Sequence, residues 1–157
     1  MKITLEFANE KYLASTLDWL KNEYDELGEG FYCNRKVISK SFMNSTGFCA
    51  VYQGSPVGFT TFDLFIPEST IYIIEVHPAL RRHGIGSQLL KSTIEWLHIN
   101  GAKCIEVECT GQASEAFCKK HGFNRYTDPN NYNDELENPT LRRYLADWRS
   151  PQRSPWQ

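Results

Sequence analysis

The spacing of hydrophobic positions along this chain changes period several times. Residues 3–8, ITLEFA, read as a short strand. From Asn9 the spacing lengthens. Tyr12, Leu13, Leu17, Leu20 and Tyr24 fall at helical intervals behind a polar cap, and Gly28-Glu29-Gly30 breaks that helix. A weaker helix is predicted over 35–44, RKVISKSFMN. The strands GFCAVYQ (47–53) and VGFTTFDLF (57–65) follow, joined as an antiparallel hairpin by the turn cluster Gly54-Ser55-Pro56. Residues 70–76, TIYIIEV, form the most β-branched run. Ile85, Leu89, Leu90, Ile94 and Leu97 then mark an amphipathic helix that stops near Asn100-Gly101. KCIEVEC (103–109) is another strand, and ASEAFCKKHGF (113–123) is a short helix ended by Gly122. FNRYT (123–127) and TLRRYLADW (140–148) close the sheet after a polar loop. Strands alternating with helices predict a mixed α/β (α+β) chain. No repeat or low-complexity linker interrupts it, so one domain is expected over 1–149, with 150–157 as a frayed C-terminal tail.

Composition narrows the class. The 157 residues are 41% hydrophobic and 13% aromatic, enough for a real core. Five cysteines (Cys33, Cys49, Cys104, Cys109, Cys118) make an odd number with no C-x-x-C pair, and four lie in runs that read as buried. That is the usage of reduced thiols, and it predicts a cytoplasmic protein without a disulfide framework. No stretch approaches the roughly 20 apolar residues needed to span a bilayer, so no membrane partner is expected. The net charge of -2 is too mild to imply nucleic acid, but it is uneven: residues 1–78 carry -4 and residues 79–157 carry +2. An anion docking on the second half and a cation on the first would suit that division.

The stretch VHPALRRHGIGSQLL (76–90) carries the most specific chemistry. It places Arg81-Arg82-His83-Gly84-Ile85-Gly86-Ser87 where a strand has ended and a helix begins. Backbone N–H groups there lack intrahelical acceptors and point along the positive end of the helix dipole. Glycines at 84 and 86 let a diphosphate approach the backbone, while Arg81, Arg82 and His83 add positive charge. A P-loop is excluded because no Gly-Lys-Ser/Thr follows. A dinucleotide fingerprint is excluded because Leu89 stands where its third glycine belongs.

Arg81-x-x-Gly84-x-Gly86 between a fourth strand and a third helix resembles the signature of the GNAT (Gcn5-related N-acetyltransferase) superfamily. The segment IEVECTGQASEAFCKKHGF (105–123) is similar to that family's second conserved block. The resemblance covers nearly the whole chain. It implies a mixed, mostly antiparallel sheet of about seven strands flanked by about four helices and splayed between the fourth and fifth strands. It also implies acetyl-CoA as cosubstrate and no metal. Residues 81–87 would hold the pyrophosphate, the backbone of Ile74 and Val76 would face the pantetheine, and Gly111 and Phe117 would complete the coenzyme contacts. Gly111 stands where the family commonly has asparagine.

The implied reaction is direct transfer of an acetyl group to a primary amine in a ternary complex, without an acyl-enzyme. A protonated amine needs a base, an oxyanion donor, and in some cases an acid for the thiolate. By the resemblance Glu106 on the fifth strand is the first candidate base. Glu75 is the second and Glu108, on the same strand face as Glu106, is the third. The amide of Val76 or its neighbour is the oxyanion donor. Cys118 occupies the family's general-acid tyrosine position, where it serves either as acid or as a small packing group. A covalent route through Cys118 has only His121, one turn on, as a local base. The acceptor should enter over 22–32 (NEYDELGEGFY) and 127–139 (TDPNNYNDELENP). Both are acidic and aromatic, which suits a cationic amine such as a polyamine, an aminoglycoside, a lysine or a peptide N-terminus. A homodimer is a possible assembly. The alternative from another class is a non-catalytic acyl-CoA sensor.

Overall fold

The computed structural model describes residues 1–110, 112–126 and 139–145. The expected tail 150–157, Gly111, and residues 127–138 of the second acceptor loop lie outside them. The chain forms two compact units. Met1–Asp63 with Ile71–Glu95 make the first, and Leu64–Thr70 with the chain from Trp96 onward make the second. Strands β1 (Thr4–Phe7), β2 (Gly47–Tyr52), β3 (Ser55–Asp63), β4 (Glu68–Val76), β5 (Cys104–Glu108), β6 (Asn124–Arg125) and β7 (Thr140–Tyr144) form one sheet in the order β1-β2-β3-β4-β5-β7-β6. It is mostly antiparallel, with one parallel pair, β4 with β5. The α-helices among the described residues are α1 (Leu13–Leu27), α2 (Arg35–Asn44), α3 (Ile85–Ile99) and α4 (Gln112–Lys120). The expected mixed, mostly antiparallel architecture is thus present. Among the described residues no helix is long and apolar enough to cross a membrane.

In the first unit α1 buries Thr16, Trp19, Leu20 and Glu23, following Tyr12 of the preceding 3-10 turn. Leu13 and Leu17 are only partly buried and Tyr24 is exposed. The buried stripe is therefore rotated from the one the sequence suggests, because the wide indole of Trp19 takes the core position. Trp19 packs against Phe59 with ring centroids 6.0 Å apart and donates its Nε1–H to the Pro56 carbonyl at 3.1 Å. Phe42 meets Phe59 edge-on at 5.8 Å, and Ile38, Cys49, Val51 and Ile73 complete this core. Each such side chain contributes about 1.5–3 kcal/mol by burial.

The β2–β3 hairpin turns one residue earlier than expected. Tyr52 pairs with Ser55, leaving Gln53 and Gly54 as a two-residue turn, both with positive φ (50° and 78°). Ser55 and Pro56 consequently belong to the strand. On β4, Ser69, Ile71, Ile73 and Glu75 are buried at alternate positions, so a carboxylate occupies the last place in an otherwise apolar or hydroxyl-bearing row. Buried Thr93 of α3 meets the Thr60 hydroxyl at 3.0 Å and donates to the Leu89 carbonyl at 2.8 Å, satisfying both hydroxyls.

In the second unit β5 and β7 pair antiparallel, with Glu106 opposite Arg142 and Val107 opposite Leu141. Of the predicted strand 123–127, residue 127 lies outside the described residues, and Asn124–Arg125 form β6. Cys104, Ile105, Val107, Cys109, Cys118, Phe123 and Leu141 are all buried. All five cysteines are unbridged and only Cys33 is exposed.

Candidate active site

The basic turn lies in the first unit. After β4 the chain makes a 3-10 turn, Pro78–Leu80, which the sequence reading did not anticipate. Proline opens this turn, and the Ala79 N–H donates to His77 Nδ1 at 3.1 Å. Arg82 and Gly84 both take left-handed φ, 68° and 78°. The Gly84 carbonyl accepts the Gln88 N–H at 3.1 Å, which places Gly84 at the start of α3. The N–H groups of Ile85 and Gly86 therefore have no acceptor within the helix and lie at its positive end. A Cβ on Gly84 would meet nothing within 4 Å, so its face of the turn is open. Arg82 and His83 are exposed, Gly86 and Ser87 are half-buried, and the Ile85 side chain is anchored in the core. An exposed, cationic, helix-opening backbone of this kind can seat an anionic ligand.

Arg81 is exposed as well, but its side chain is aimed elsewhere. Its guanidinium turns back over the end of β4, where Nε donates to the Val76 carbonyl at 3.1 Å and Nη2 donates to Glu75 Oε1 at 2.8 Å. The same Nη2 donates to Glu23 Oε2 of α1. The side chain expected to surround a phosphate is thus committed to two carboxylates, and the Val76 carbonyl already has a partner. Ile74 and Val76 point to the face of β4 opposite Glu75 and are half-buried. The Glu75 side chain is 8% exposed. Burial, then the hydrogen bond and charge of Glu23, push its carboxyl up to about 8 against the pull of Arg81. Glu23 was missed in the sequence. Its signal was position, three and four residues beyond Leu20 and Trp19 on the buried stripe of α1.

The remaining candidates lie in the second unit. Glu106 is half-buried and accepts from Arg142 Nε at 2.9 Å. Arg142 also reaches Glu68 at 3.4 Å and lies over the Tyr126 ring at 3.6 Å. Glu106 thus takes part in a cross-strand ion pair, while Glu108 is exposed. Cys118 is buried on α4 and hydrogen-bonded to Cys109 at the end of β5. That bond, then burial, holds the Cys118 thiol well above the ordinary cysteine range. The same bond lowers Cys109 to about 7. Phe117 packs edge-on against His121 at 5.0 Å. Among the described residues no group of three or more His, Cys, Asp or Glu side chains could hold a metal.

Comparison with known proteins identifies the family to which this strand, basic turn and helix belong. A sequence model of the Acetyltransferase (GNAT) family matches residues 9–123. The chain belongs to that family and is an N-acetyltransferase. It is 29% identical over 100 residues to the [Ribosomal protein bS18]-alanine N-acetyltransferase of Escherichia coli K12, an alignment covering 59% of this chain and 68% of that protein. The fold is shared with the PaiA N-acetyltransferase of Thermoplasma acidophilum in complex with coenzyme A. That structure has a TM-score of 0.74 at 14% identity, over 92% of this chain and all of the other. It is also shared with the crystal structure of the E. coli ribosomal-protein-S18-alanine N-acetyltransferase, with a TM-score of 0.68 at 19% identity over 90% and 91% of the two chains.

Proposed function

We propose that this protein transfers acetyl from acetyl-CoA directly to a cationic primary amine, as one catalytic domain over 1–149 working in the cytoplasm. The observation that carries the reading is the open, helix-opening turn 81–87 in a chain of the GNAT family. Its backbone would take the pyrophosphate at Gly84, Ile85, Gly86 and Ser87, with Arg82 and His83 supplying cationic side chains, and Ile74 and Val76 would present backbone to the pantetheine. Arg81 contributes to this site through its place in the turn, since its guanidinium serves Glu23 and Glu75.

For the base, the geometry favours Glu75 over Glu106. A carboxyl held near neutral in a buried place takes a proton readily at working pH, whereas Glu106 is tied into an ion pair with Arg142. Oxyanion stabilisation falls to the amide of Val76 or its neighbour. Cys118 is read as packing, because its S–H is committed to Cys109 and a thiol held so high is a poor acid. The amine class follows from the acidic residues of 22–32, and a peptide N-terminus, the substrate type named for the E. coli relative, is one member of it.

The test is release of free thiol from acetyl-CoA with a panel of amines: a polyamine, an aminoglycoside, a lysine peptide and an alanine-initiated peptide. Acetylation of any of them supports the reading. Binding of acetyl-CoA without turnover of any would favour the acyl-CoA sensor instead. Sedimentation at the mass of one chain, 18.2 kDa, at every concentration would remove the homodimer.

A further inference from the structure

We propose that Glu23 and Glu75 form a carboxyl dyad that holds one proton across Arg81, and that Glu23 is the positioning residue that makes Glu75 the base. The proposal rests on the transferase reading above and adds to it a residue of α1 outside both conserved blocks.

One nitrogen, Arg81 Nη2, donates to both carboxylates, and the three groups come from α1, β4 and the turn after β4. The Glu23 and Glu75 side chains are 1% and 8% exposed, whereas Arg81 is 42% exposed. Two ionised carboxylates against one guanidinium would leave a net negative charge in the buried half of the cluster. Uptake of one proton removes that cost. A further detail agrees with proton sharing. Glu23 Oε1 is buried and has no hydrogen-bond partner among the described residues. Both carboxyls sit on the one Arg81 nitrogen, so a proton on Glu75 places a donor beside the Glu23 carboxyl.

The turn after α1 covers this carboxyl closely. Gly30 has φ of 96°, and any Cβ there would run into Glu23 Oε1. Among the described residues the charged groups around Glu75 are Glu23 from α1 and Arg81 from the turn. Gly58, the β3 residue against the Glu75 carbonyl, adds none.

In the reaction the dyad first releases its proton to water, a form that grows as pH rises toward 8; the acceptor ammonium then gives a proton to the Glu75 carboxylate and becomes the free amine, while the reprotonated Glu75 donates to Glu23. The amine lone pair then forms the N–C bond at the thioester carbonyl. The C–S bond breaks, and the proton left on nitrogen passes to the departing thiolate. The products are the acetamide and coenzyme A thiol, and Glu75 returns its proton to water. Glu23 touches no reacting atom in this scheme. It raises the proton affinity of the group that does.

The dyad is tested on the free protein by carbon-13 NMR titration of glutamate carboxyls, alongside the pH profile of kcat/KM for the amine. In the wild type one carboxyl should titrate near 8, and it should be absent in Glu75→Gln. In Glu23→Gln it should move down by about one pH unit or more yet stay above the ordinary carboxylate range, because burial persists. The acid limb of kcat/KM should move with it. A merely structural Glu23 would lower stability and leave the titration in place, and an unmoved Glu75 titration in folded Glu23→Gln overturns the proposal. Should glutamine at 23 prevent folding, Arg81→Gln carries the test. Without the cation the Glu75 titration should move up by about one pH unit or more, and a Glu75 titration left in place in the folded variant overturns the dyad. If no amine is acetylated, the transferase reading fails while the titration still decides the dyad. If acetylation proceeds and the titration does not move, the dyad alone fails.

Discussion

Two arginine–glutamate clusters, one in each unit, invert each other. In the first unit the carboxylates of Glu23 and Glu75 are buried and the guanidinium of Arg81 reaches solvent. In the second, Arg142 is the more buried partner at 15%, and its carboxylates Glu106 and Glu68 are 35% and 44% exposed. Stripping water from a guanidinium, which is weakly hydrated, costs less than stripping it from a carboxylate. The second cluster is therefore an ordinary cross-strand pair that fixes β5 against β7. The first stores a carboxyl whose proton is available near neutral pH. Glutamate beside arginine is the same sequence chemistry in both, and which partner is buried decides the role.

The sharpest way to break this comparison is to remove one carboxylate from each cluster. Glu75→Gln should lower kcat/KM for the amine by about 10²–10³-fold at pH 7, as expected for loss of a general base. The loss should shrink at high pH, where free amine is plentiful. Glu106→Gln should cost less than about tenfold, since it removes only an ion pair worth about 1 kcal/mol or less. Steady-state kinetics on the two variants settles the order, and a larger loss in Glu106→Gln would reverse the assignment.

A second effect separates coenzyme binding from base chemistry. Gly84→Val should abolish the rise in melting temperature caused by acetyl-CoA. At a hundredfold excess of ligand over Kd, that rise corresponds to about 2.7 kcal/mol. Open space around the Gly84 Cβ position means that the variant itself loses only the cost of a left-handed φ, about 1–2 kcal/mol. Calorimetry with and without acetyl-CoA distinguishes the two losses. A retained ligand shift in a folded variant would move the phosphate seat away from this turn.

The basic turn was legible because its requirements are local. A helix start, two glycines and adjacent cations sit within seven residues, and β-branched and amphipathic periods frame them. The strands and helices were legible for the same reason, down to the bounds of α2 at Arg35–Asn44. What escaped was set by partners distant in sequence. Glu23 and Arg81 are 58 residues apart, and nothing near Arg81 announces that its side chain would turn from the solvent to α1. Glu106 stood out by its place in a conserved block, but Arg142, 36 residues on, decides how it is used. The stripe of α1 was misjudged because Leu and Tyr outrank Glu as core candidates, and only tertiary pairing makes Glu23 tolerable there.

The same inversion should appear in stability. Glu75 binds its proton more tightly folded, near 8, than unfolded, near 4.5. Its protonation therefore contributes stability that is complete below about 4.5 and is lost as pH rises through 8. Each pH unit in that window is worth at most about 1.4 kcal/mol, so the wild type should lose a few kcal/mol relative to Glu75→Gln between pH 5 and 8. Glu115 of the second unit runs the other way. Arg125 and then Lys119 hold it at about 2, so its contribution is present above the ordinary carboxylate range and is lost only as pH falls toward 2. It leaves the pH 5–8 window flat. Urea denaturation of both proteins across that window measures the difference, and parallel curves would show that Glu75 is ionised in the folded state throughout.

The smallest expected effect concerns the thiol pair of the second unit. If Cys118 only fills space, Cys118→Ala leaves a cavity the size of one sulfur, costs about 1 kcal/mol, and changes kcat little. It also removes the donor that holds Cys109 near 7, so the Cys109 thiol should become harder to ionise and slower to alkylate at pH 7.5 in the folded variant. Cys118→Tyr should then fail by overpacking, since Cys118 is 4% exposed and Cys109 is fully buried beside it. An acid role makes the opposite pair of forecasts: alanine would depress kcat at unchanged affinity for acetyl-CoA, and tyrosine would restore it. Because the Cys118 thiol is paired with Cys109, the more easily ionised of the two, proton donation to a departing thiolate would have to break that pairing first. A tenfold or larger fall in kcat for a folded Cys118→Ala variant would show that the bond does break during turnover.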